Sequence, residues 1–168
     1  MKTLFFIILT VFTTTFVSAQ SKNVVEEIMA SANHTILAKA LKKADLITTL
    51  TEPGPFTIFA PTDGAFKSLP VGTLDNLLKA GNQALLANLL SYHVVKGKFE
   101  ASALISAINS NNGNFTLKTI NNSMLNLAFE NGRIKLTDEK GGSAYVKSAD
   151  LKGSNGLIHV IDNVLMPK

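Results

Sequence analysis

Apolar residues recur at steps of three and four along the first part of the chain, which is the spacing of one face of an α-helix. The pattern extends from Val24 to Leu41 and is interrupted by Asn33-His34-Thr35. The interruption predicts two helices, or one bent helix, with Thr35 as a candidate cap for the second. Shorter helical patterns follow at residues 44–47, 73–78, 84–90 and 101–105.

The second half of the chain alternates apolar and polar residues, which is typical of half-buried strands. Asn131-Gly132 predicts a two-residue hairpin turn, and Gly141-Gly142 predicts another turn. Helices therefore dominate early and strands late, and this segregation predicts an α+β fold rather than alternating β and α units. The predicted strands lie at residues 115–120, 124–129, 134–137, 144–150 and 156–165.

One short segment combines a strand, a tight corner and a helix start. Residues 56–60 are apolar and rich in strand formers, and Pro61 ends the strand because proline cannot donate to a sheet ladder. Thr62 then stands at the N-cap position of a short helix. Asp63 follows in the first turn, where a carboxylate suits the positive end of the helix dipole. We refer to Pro61-Thr62-Asp63 as the corner.

The N-terminus has the order and length of a secretory signal peptide. Lys2 gives it a positive start, residues 4–16 are mainly apolar, and Val17-Ser18-Ala19 is a cleavage site with small residues. An uncleaved membrane anchor is the alternative. The four threonines in residues 10–15 weaken that alternative, because a spanning helix needs about twenty mainly apolar residues. We therefore expect residues 1–19 to be a signal peptide.

The expected mature chain, residues 20–168, has the length of a single domain and contains no further stretch that could cross a membrane. Its expected location is secreted, periplasmic or at the cell surface. The absence of cysteine excludes thiol catalysis and cysteine metal sites. The formal charge is +4, but the lysines are spread along the chain and form no basic stripe, so a nucleic-acid partner is not expected.

Three segments of the chain carry a family resemblance: Phe56 to Phe66, Leu90 to Val95, and Asn155 to Pro167. In this order and spacing they resemble a fasciclin domain, which is a secreted or cell-surface adhesion module. The resemblance extends from about Asn23 to Lys168. A single domain after a simple signal peptide is similar to the bacterial members of that family.

The resemblance implies a β-wedge or sandwich of about seven strands, with a cluster of helices packed on one side. It also implies that the first and third segments lie on neighbouring strands, with Tyr92-His93 close to the first. Several animal members carry acidic integrin-binding signatures where this chain reads Asn163-Val164-Leu165-Met166 or Tyr92 to Gly97. An integrin-type role is therefore not supported.

His93 is the candidate for catalysis, with Tyr92 and Ser91 beside it. A nucleophile and base need a hydroxyl within hydrogen-bond reach of an imidazole, which a carboxylate such as Asp63 or Asp162 holds in place. The chain has no Gly-x-Ser-x-Gly elbow. We favour a structural interpretation, in which His93 donates a hydrogen bond to the corner and locks helix to strand, because buried polar groups need partners.

His159 and Asp162 lie in the closing β-rich run. His159 shares a strand face with Leu157 and Ile161, which predicts a half-buried histidine with satisfied hydrogen bonds. Asp162 is predicted to cap a turn or to accept backbone hydrogen bonds. The histidines match no metal-binding spacing, so neither a metal nor a cofactor site is expected.

These residues together predict a polar latch that is structural first and a candidate binding site second. The predicted function is a non-catalytic adhesion or binding module, a monomer that contacts an extracellular protein or polysaccharide. Two alternatives stay open: a small secreted enzyme that uses the region of Tyr92, His93 and Asp63, and a carrier of a small apolar ligand in a pocket between helices and sheet. The polar latch consists of Thr62, Asp63, Tyr92, His93, His159 and Asp162.

Overall fold

Seven strands form one sheet in the computed structural model, which describes residues 21–168. The order across the sheet is β2-β1-β7-β6-β5-β4-β3. An isolated bridge between Val95 and Thr119, with a hydrogen bond from the Ile120 amide to the Val94 carbonyl, brings β2 beside the end of β3, so the sheet is nearly closed. In chain order the strands are β1 (Phe56–Pro61), β2 (Val94–Lys96), β3 (Asn114–Lys118), β4 (Met124–Glu130), β5 (Arg133–Thr137), β6 (Ser143–Gly153) and β7 (Gly156–Ile161).

Six of the helices pack with β1, β2 and β7 around one hydrophobic cluster, and a seventh packs against the β3–β6 part of the sheet around a second cluster. This arrangement confirms the predicted α+β fold of about seven strands with a cluster of helices packed on one side, and the seventh helix lies apart from that cluster. The first group is α1 (Val24–Ala30), α2 (Thr35–Lys43), α3 (Ile47–Thr51), α4 (Asp63–Lys67), α5 (Thr73–Leu77) and α6 (Gln83–Tyr92), and the seventh helix is α7 (Ala101–Ser110).

Strands β1 and β7 lie side by side in parallel, which confirms that the first and third resembling segments are neighbours. Every residue of β1 is buried, because helices cover one face of the strand and the second cluster covers the other. Ile58 and Ile158 belong to the helix-side cluster, whereas Phe59 belongs to the second cluster. A strand buried on both faces is mainly apolar, as residues 56–60 are apart from Thr57, whose hydroxyl donates to the Gly97 carbonyl at 2.7 Å.

The predicted interruption of the first helical pattern is a true break, since α1 ends at Ala30 and α2 begins at Thr35. Helix α1 starts with a capping box between Asn23 and Glu26. The prediction that Thr35 caps α2 is wrong. His34 occupies the N-cap position, its side chain makes no capping bond, and Thr35 is already the first helical residue.

The Asn131-Gly132 hairpin is confirmed between β4 and β5. Both residues have positive φ angles, 51° and 75°, which is the requirement of a type I′ turn. Strand β6 carries two register shifts against β7, and Asp150 within it has a φ of 59°. The Asp150 carboxylate accepts a hydrogen bond of 3.0 Å from the Ala101 amide and so fixes the start of α7.

Within residues 21–168, no helix has both the length and the apolar character that a membrane crossing requires.

Candidate functional site

The corner joins β1 to α4 through backbone and side-chain hydrogen bonds. The Ala65 amide donates to the Thr62 hydroxyl at 3.2 Å, so Thr62 caps α4 as its position in the sequence indicates. The Asp63 amide donates to the Asn33 carbonyl at 2.8 Å. The corner is therefore attached to the turn between α1 and α2, which lies about thirty residues earlier in the chain.

The Asp63 side chain completes this attachment by capping α2 from outside the helix. Its Oδ2 accepts from the Thr35 hydroxyl at 2.6 Å, and its Oδ1 accepts from the Ile36 amide at 2.8 Å. An uncapped helix N-terminus leaves amide groups without partners, and a carboxylate there is favoured by the helix dipole. Partial burial opposes ionisation, but the hydrogen bonds from Thr35 and Ile36 outweigh it, and the pKa of Asp63 is lowered.

His93 does not bond to the corner, so the predicted hydrogen bond from His93 to Thr62 or Asp63 is wrong. Its Nδ1 lies 2.9 Å from the Leu89 carbonyl, and the Leu165 amide donates to its Nε2 at 3.0 Å. The carbonyl must accept and the amide must donate, so the ring is neutral with its proton on Nδ1. The contact between His93 and β1 is made by the backbone instead of the ring. The Phe59 amide donates to the His93 carbonyl at 2.8 Å, and the ring is left to bond elsewhere.

Burial of His93 lowers its pKa to about 4. Both ring nitrogens are occupied by backbone partners, so neither is available to activate a hydroxyl. The imidazole therefore ties the end of α6 to the C-terminal segment. A nucleophile–base pair at this position would need one free ring nitrogen.

Tyr92 is also buried, and it lies edge-on to His93 with 6.3 Å between ring centroids. Its hydroxyl donates to the Met124 carbonyl at 2.8 Å, which links α6 to β4. Burial raises the pKa of Tyr92 to about 12. Tyr92 therefore acts as a hydrogen-bond donor in the interior rather than as an exposed contact residue.

His159 is fully buried, so the prediction of a half-buried side chain is wrong. Strand β7 lies between β1 and β6, and both of its faces are covered. The ring stacks on Phe59 at a centroid distance of 5.5 Å. Its Nε2 lies 2.7 Å from the Phe99 carbonyl, and the Asp150 amide donates to its Nδ1 at 3.3 Å. Burial lowers the pKa of this histidine as well.

Asp162 lies half-buried at the end of β7 and pairs with the backbone of Tyr145. Its Oδ1 accepts from the Tyr145 amide at 2.7 Å, and its own amide donates to the Tyr145 carbonyl at 3.2 Å. The six residues of the polar latch therefore do not form one network. Tyr92 and His93 are in contact, Thr62 and Asp63 are adjacent, and His159 and Asp162 each bond separately.

Asp138 and Asn155 are among the polar residues with long-range bonds that were not predicted as site residues. Asp138 is buried and accepts from the Gly142 amide at 2.7 Å and from the Met166 amide at 2.9 Å, so it holds the C-terminal segment. Asn155 donates to the carbonyls of Leu50 and Glu52 and accepts from the Val24 amide. The Gly141-Gly142 turn after Asp138 is a signal for a local aspartate turn, but nothing nearby indicates the bond to Met166.

A polar cleft of about 490 Å³ opens beside the corner, and we call it the corner cleft. Lys67 and Lys147 are exposed at its edges, and neither belongs to the two ion pairs found in the described part of the chain. No group of three or more histidine, aspartate or glutamate side chains in residues 21–168 is placed to hold a metal ion. The lining residues of the corner cleft are Ala32, Asn33, Thr62, Asp63, Gly64, Lys67 and Lys147.

The comparisons with known proteins agree on one protein family. The model of the Fasciclin domain matches residues 32–167. Protein sll1483 of Synechocystis sp. is 39% identical over 141 residues, which is 83% of this chain and 71% of that protein. A second Synechocystis protein, sll1735, is 37% identical over 145 residues, which is 86% of this chain and 97% of that protein.

Longer proteins match over a part of their length. The transforming growth factor-beta-induced protein ig-h3 of Sus scrofa is 35% identical over 132 residues, which is 79% of this chain but 17% of ig-h3. Among solved structures, a FAS1 domain pair from the insect cell adhesion molecule fasciclin I matches with a TM-score of 0.77 at 19% identity. That match covers 88% of this chain and 51% of the pair. It shows that the fold is shared.

Proposed function

Because the chain belongs to the fasciclin domain family, we propose that it is a secreted or cell-surface adhesion module that binds an extracellular protein or polysaccharide without catalysing a reaction. Fasciclin I, which shares the fold, is a cell adhesion molecule. The geometry of His93 supports a non-catalytic role, since both ring nitrogens bond to the backbone. The region of Tyr92, His93 and Asp63 therefore offers no assembled nucleophile and base.

The corner cleft is the contact surface that we propose for this adhesion. The observation that carries the proposal is that the motif residues differ in exposure. Tyr92, His93 and His159 are buried, whereas Asp63 lines an open cleft. The carboxylate of Asp63 is already bonded to Thr35 and Ile36. The lining holds two lysines and one ionised carboxylate, so its net charge is positive, which favours anionic groups such as uronates or acidic side chains.

The test is a binding measurement on the secreted protein with immobilised alginate, which is anionic, dextran, which is neutral, and a panel of extracellular matrix proteins. The double variant Lys67→Gln/Lys147→Gln is expected to weaken binding to an anionic partner by about tenfold or more. Lys39→Gln/Lys118→Gln is the matched control, because it removes the same charge from exposed lysines that do not line the cleft.

Two outcomes would contradict the proposal. An equal loss of binding in the control would mean that overall charge, not the cleft, attracts the partner. Binding to none of the polysaccharides or proteins would remove the support for adhesion.

Secretion is the second part of the proposal and rests on residues 1–19, which lie outside the described residues. We expect cleavage after Ala19, which leaves Gln20 as the N-terminus. Mass spectrometry of the protein recovered from the medium or periplasm checks this expectation directly. A protein that stays in the cytoplasm with Met1 intact would contradict it.

A further inference from the structure

A second cleft opens between α7 and the sheet, at the β4–β5 hairpin, and we call it the α7 cleft. Its volume is about 250 Å³. The lining is mainly apolar, in contrast to the corner cleft. The apolar side chains come from α7, from β4 and β5, and from β6. They are Ala101, Ile105, Phe129, Ile134, Val146 and Ala149.

The α7 cleft has a buried floor and an exposed aromatic edge. Ile134 and Val146 are only 4% and 8% exposed and belong to the second hydrophobic cluster, so their positions are set by packing. Phe129 is 41% exposed. A phenylalanine left partly in water beside an apolar cleft gains stabilisation when a ligand covers it.

The rim of the α7 cleft is positively charged and contains no carboxylate. Arg133 and Lys147 line it, and neither forms one of the ion pairs of residues 21–168. The guanidinium of Arg133 stacks over the Tyr145 ring at 4.7 Å from its centroid, which positions the group while leaving its N–H donors available. A planar guanidinium with free donors matches a carboxylate in geometry and charge.

We propose that the α7 cleft binds a short amphiphilic carboxylate, with its apolar tail on the floor and its carboxylate at Arg133 and Lys147. The volume corresponds to about eight water molecules at about 30 Å³ each, which is room for a tail of about six to ten carbons. This binding activity is separate from adhesion at the corner cleft, although Lys147 lines both clefts.

The proposal is tested by titrating the secreted protein with octanoate below its micelle concentration, using isothermal calorimetry and amide NMR shifts. Octanoate is expected to bind at least about tenfold more tightly than 1-octanol, and octyltrimethylammonium is expected not to bind. Along the series from butanoate to decanoate, each added methylene is expected to tighten binding by up to about fourfold. The gain is expected to stop when the tail is longer than the apolar floor of the cleft. Amide shifts are expected around Ile105, Phe129 and Val146.

Single variants separate this proposal from adhesion. Arg133→Gln is expected to weaken octanoate binding about tenfold while leaving adhesion unchanged, because Arg133 lines only the α7 cleft. Phe129→Ser is expected to weaken the binding of octanoate and of octanol to the same extent. The controls are Lys118→Gln for the charge and Leu85→Ser for an exposed apolar side chain elsewhere.

The proposal is overturned if octanol binds as tightly as octanoate, if Arg133→Gln binds octanoate like the wild type, or if the amide shifts fall outside the α7 cleft. Absence of any octanoate binding overturns it as well. Loss of adhesion in Lys67→Gln with normal octanoate binding would show that the two clefts act independently.

Discussion

The interior histidines and the corner use similar polar chemistry with opposite consequences. His93 and His159 each bond to two backbone groups through their two ring nitrogens, and both are buried. Asp63 also bonds to two neighbours, but it lies half-buried at the edge of an open cleft. Side chains in the interior are limited to stabilising the fold, whereas the corner both stabilises α2 and forms part of a surface.

The comparison teaches that a polar residue in a family motif need not be a contact residue. Burial of an unpartnered ring nitrogen costs free energy, and His93 and His159 avoid this cost through bonds to the backbone, whereas the buried His34 leaves its Nε2 without a partner. The charged side chains that the fold leaves at the corner cleft are Asp63, Lys67 and Lys147. The following predictions test each side of this comparison, beginning with the largest expected effect.

Replacing His93 by alanine is expected to destabilise the protein by about 3–5 kcal/mol, measured by urea unfolding. The variant leaves a cavity and removes the partners of the Leu89 carbonyl and the Leu165 amide. Leu85→Ala is the control, since Leu85 is half-exposed on the same helix and should change the free energy of unfolding by less than about 1 kcal/mol. A stable His93→Ala protein that binds its partner normally would show that the interior bonds are dispensable.

Acidification is expected to destabilise the protein through its buried histidines. Burial lowers the pKa of His93 from 6.5 to about 4, so the folded state holds the neutral ring while the unfolded chain takes up a proton. The stability is therefore fully present above about pH 6.5 and is lost as the pH falls toward about 4. His93 alone predicts a loss of about 2 kcal/mol between about pH 7 and about pH 5.

The measurement is the free energy of unfolding in urea at several pH values. The lowered pKa of His159 acts in the same direction and adds to the loss. A free energy of unfolding that stays flat over this range would mean that the rings are protonated in the folded protein. The interior interpretation of His93 would then fail.

Replacing Asp63 by alanine is expected to cost about 1–2 kcal/mol, which is the usual effect of losing a helix cap with charge-assisted hydrogen bonds. Asp75→Ala is the matched control, because Asp75 is an exposed aspartate in the first turn of another helix. Its expected effect is below about 0.5 kcal/mol. Equal effects of the two substitutions would show that the bonds from Asp63 to Thr35 and Ile36 add nothing to stability.

Local patterns in the sequence predicted much of this fold. The break between α1 and α2, the Asn131-Gly132 hairpin and the existence of strand β1 each depend on a few adjacent residues. The cap at Thr62 is of the same kind, since its partner Ala65 is three residues away. Such features are predictable because the chain geometry alone brings the groups together.

The candidate site was predicted less well, because its bonds cross between elements. Asp63 caps a helix that begins 28 residues earlier, and the Leu165 amide reaches His93 across 72 residues. The full burial of His159 follows from the position of β7 between two strands, which the alternation along a single strand cannot reveal. Asp138 was not predicted for the same reason, because its bond to the Met166 amide spans 28 residues.

The sequence by itself determined most of the helices and strands, their segregation along the chain, and the presence of a corner between β1 and α4. These depend on the spacing of apolar residues and on turn chemistry, which act over a few residues. Only the tertiary structure decided that His93 turns to the C-terminal segment rather than to the corner, and that Lys67 and Lys147 line one cleft with Asp63. Those outcomes depend on how distant elements pack, because a buried polar group bonds to whichever partner the packing places within reach.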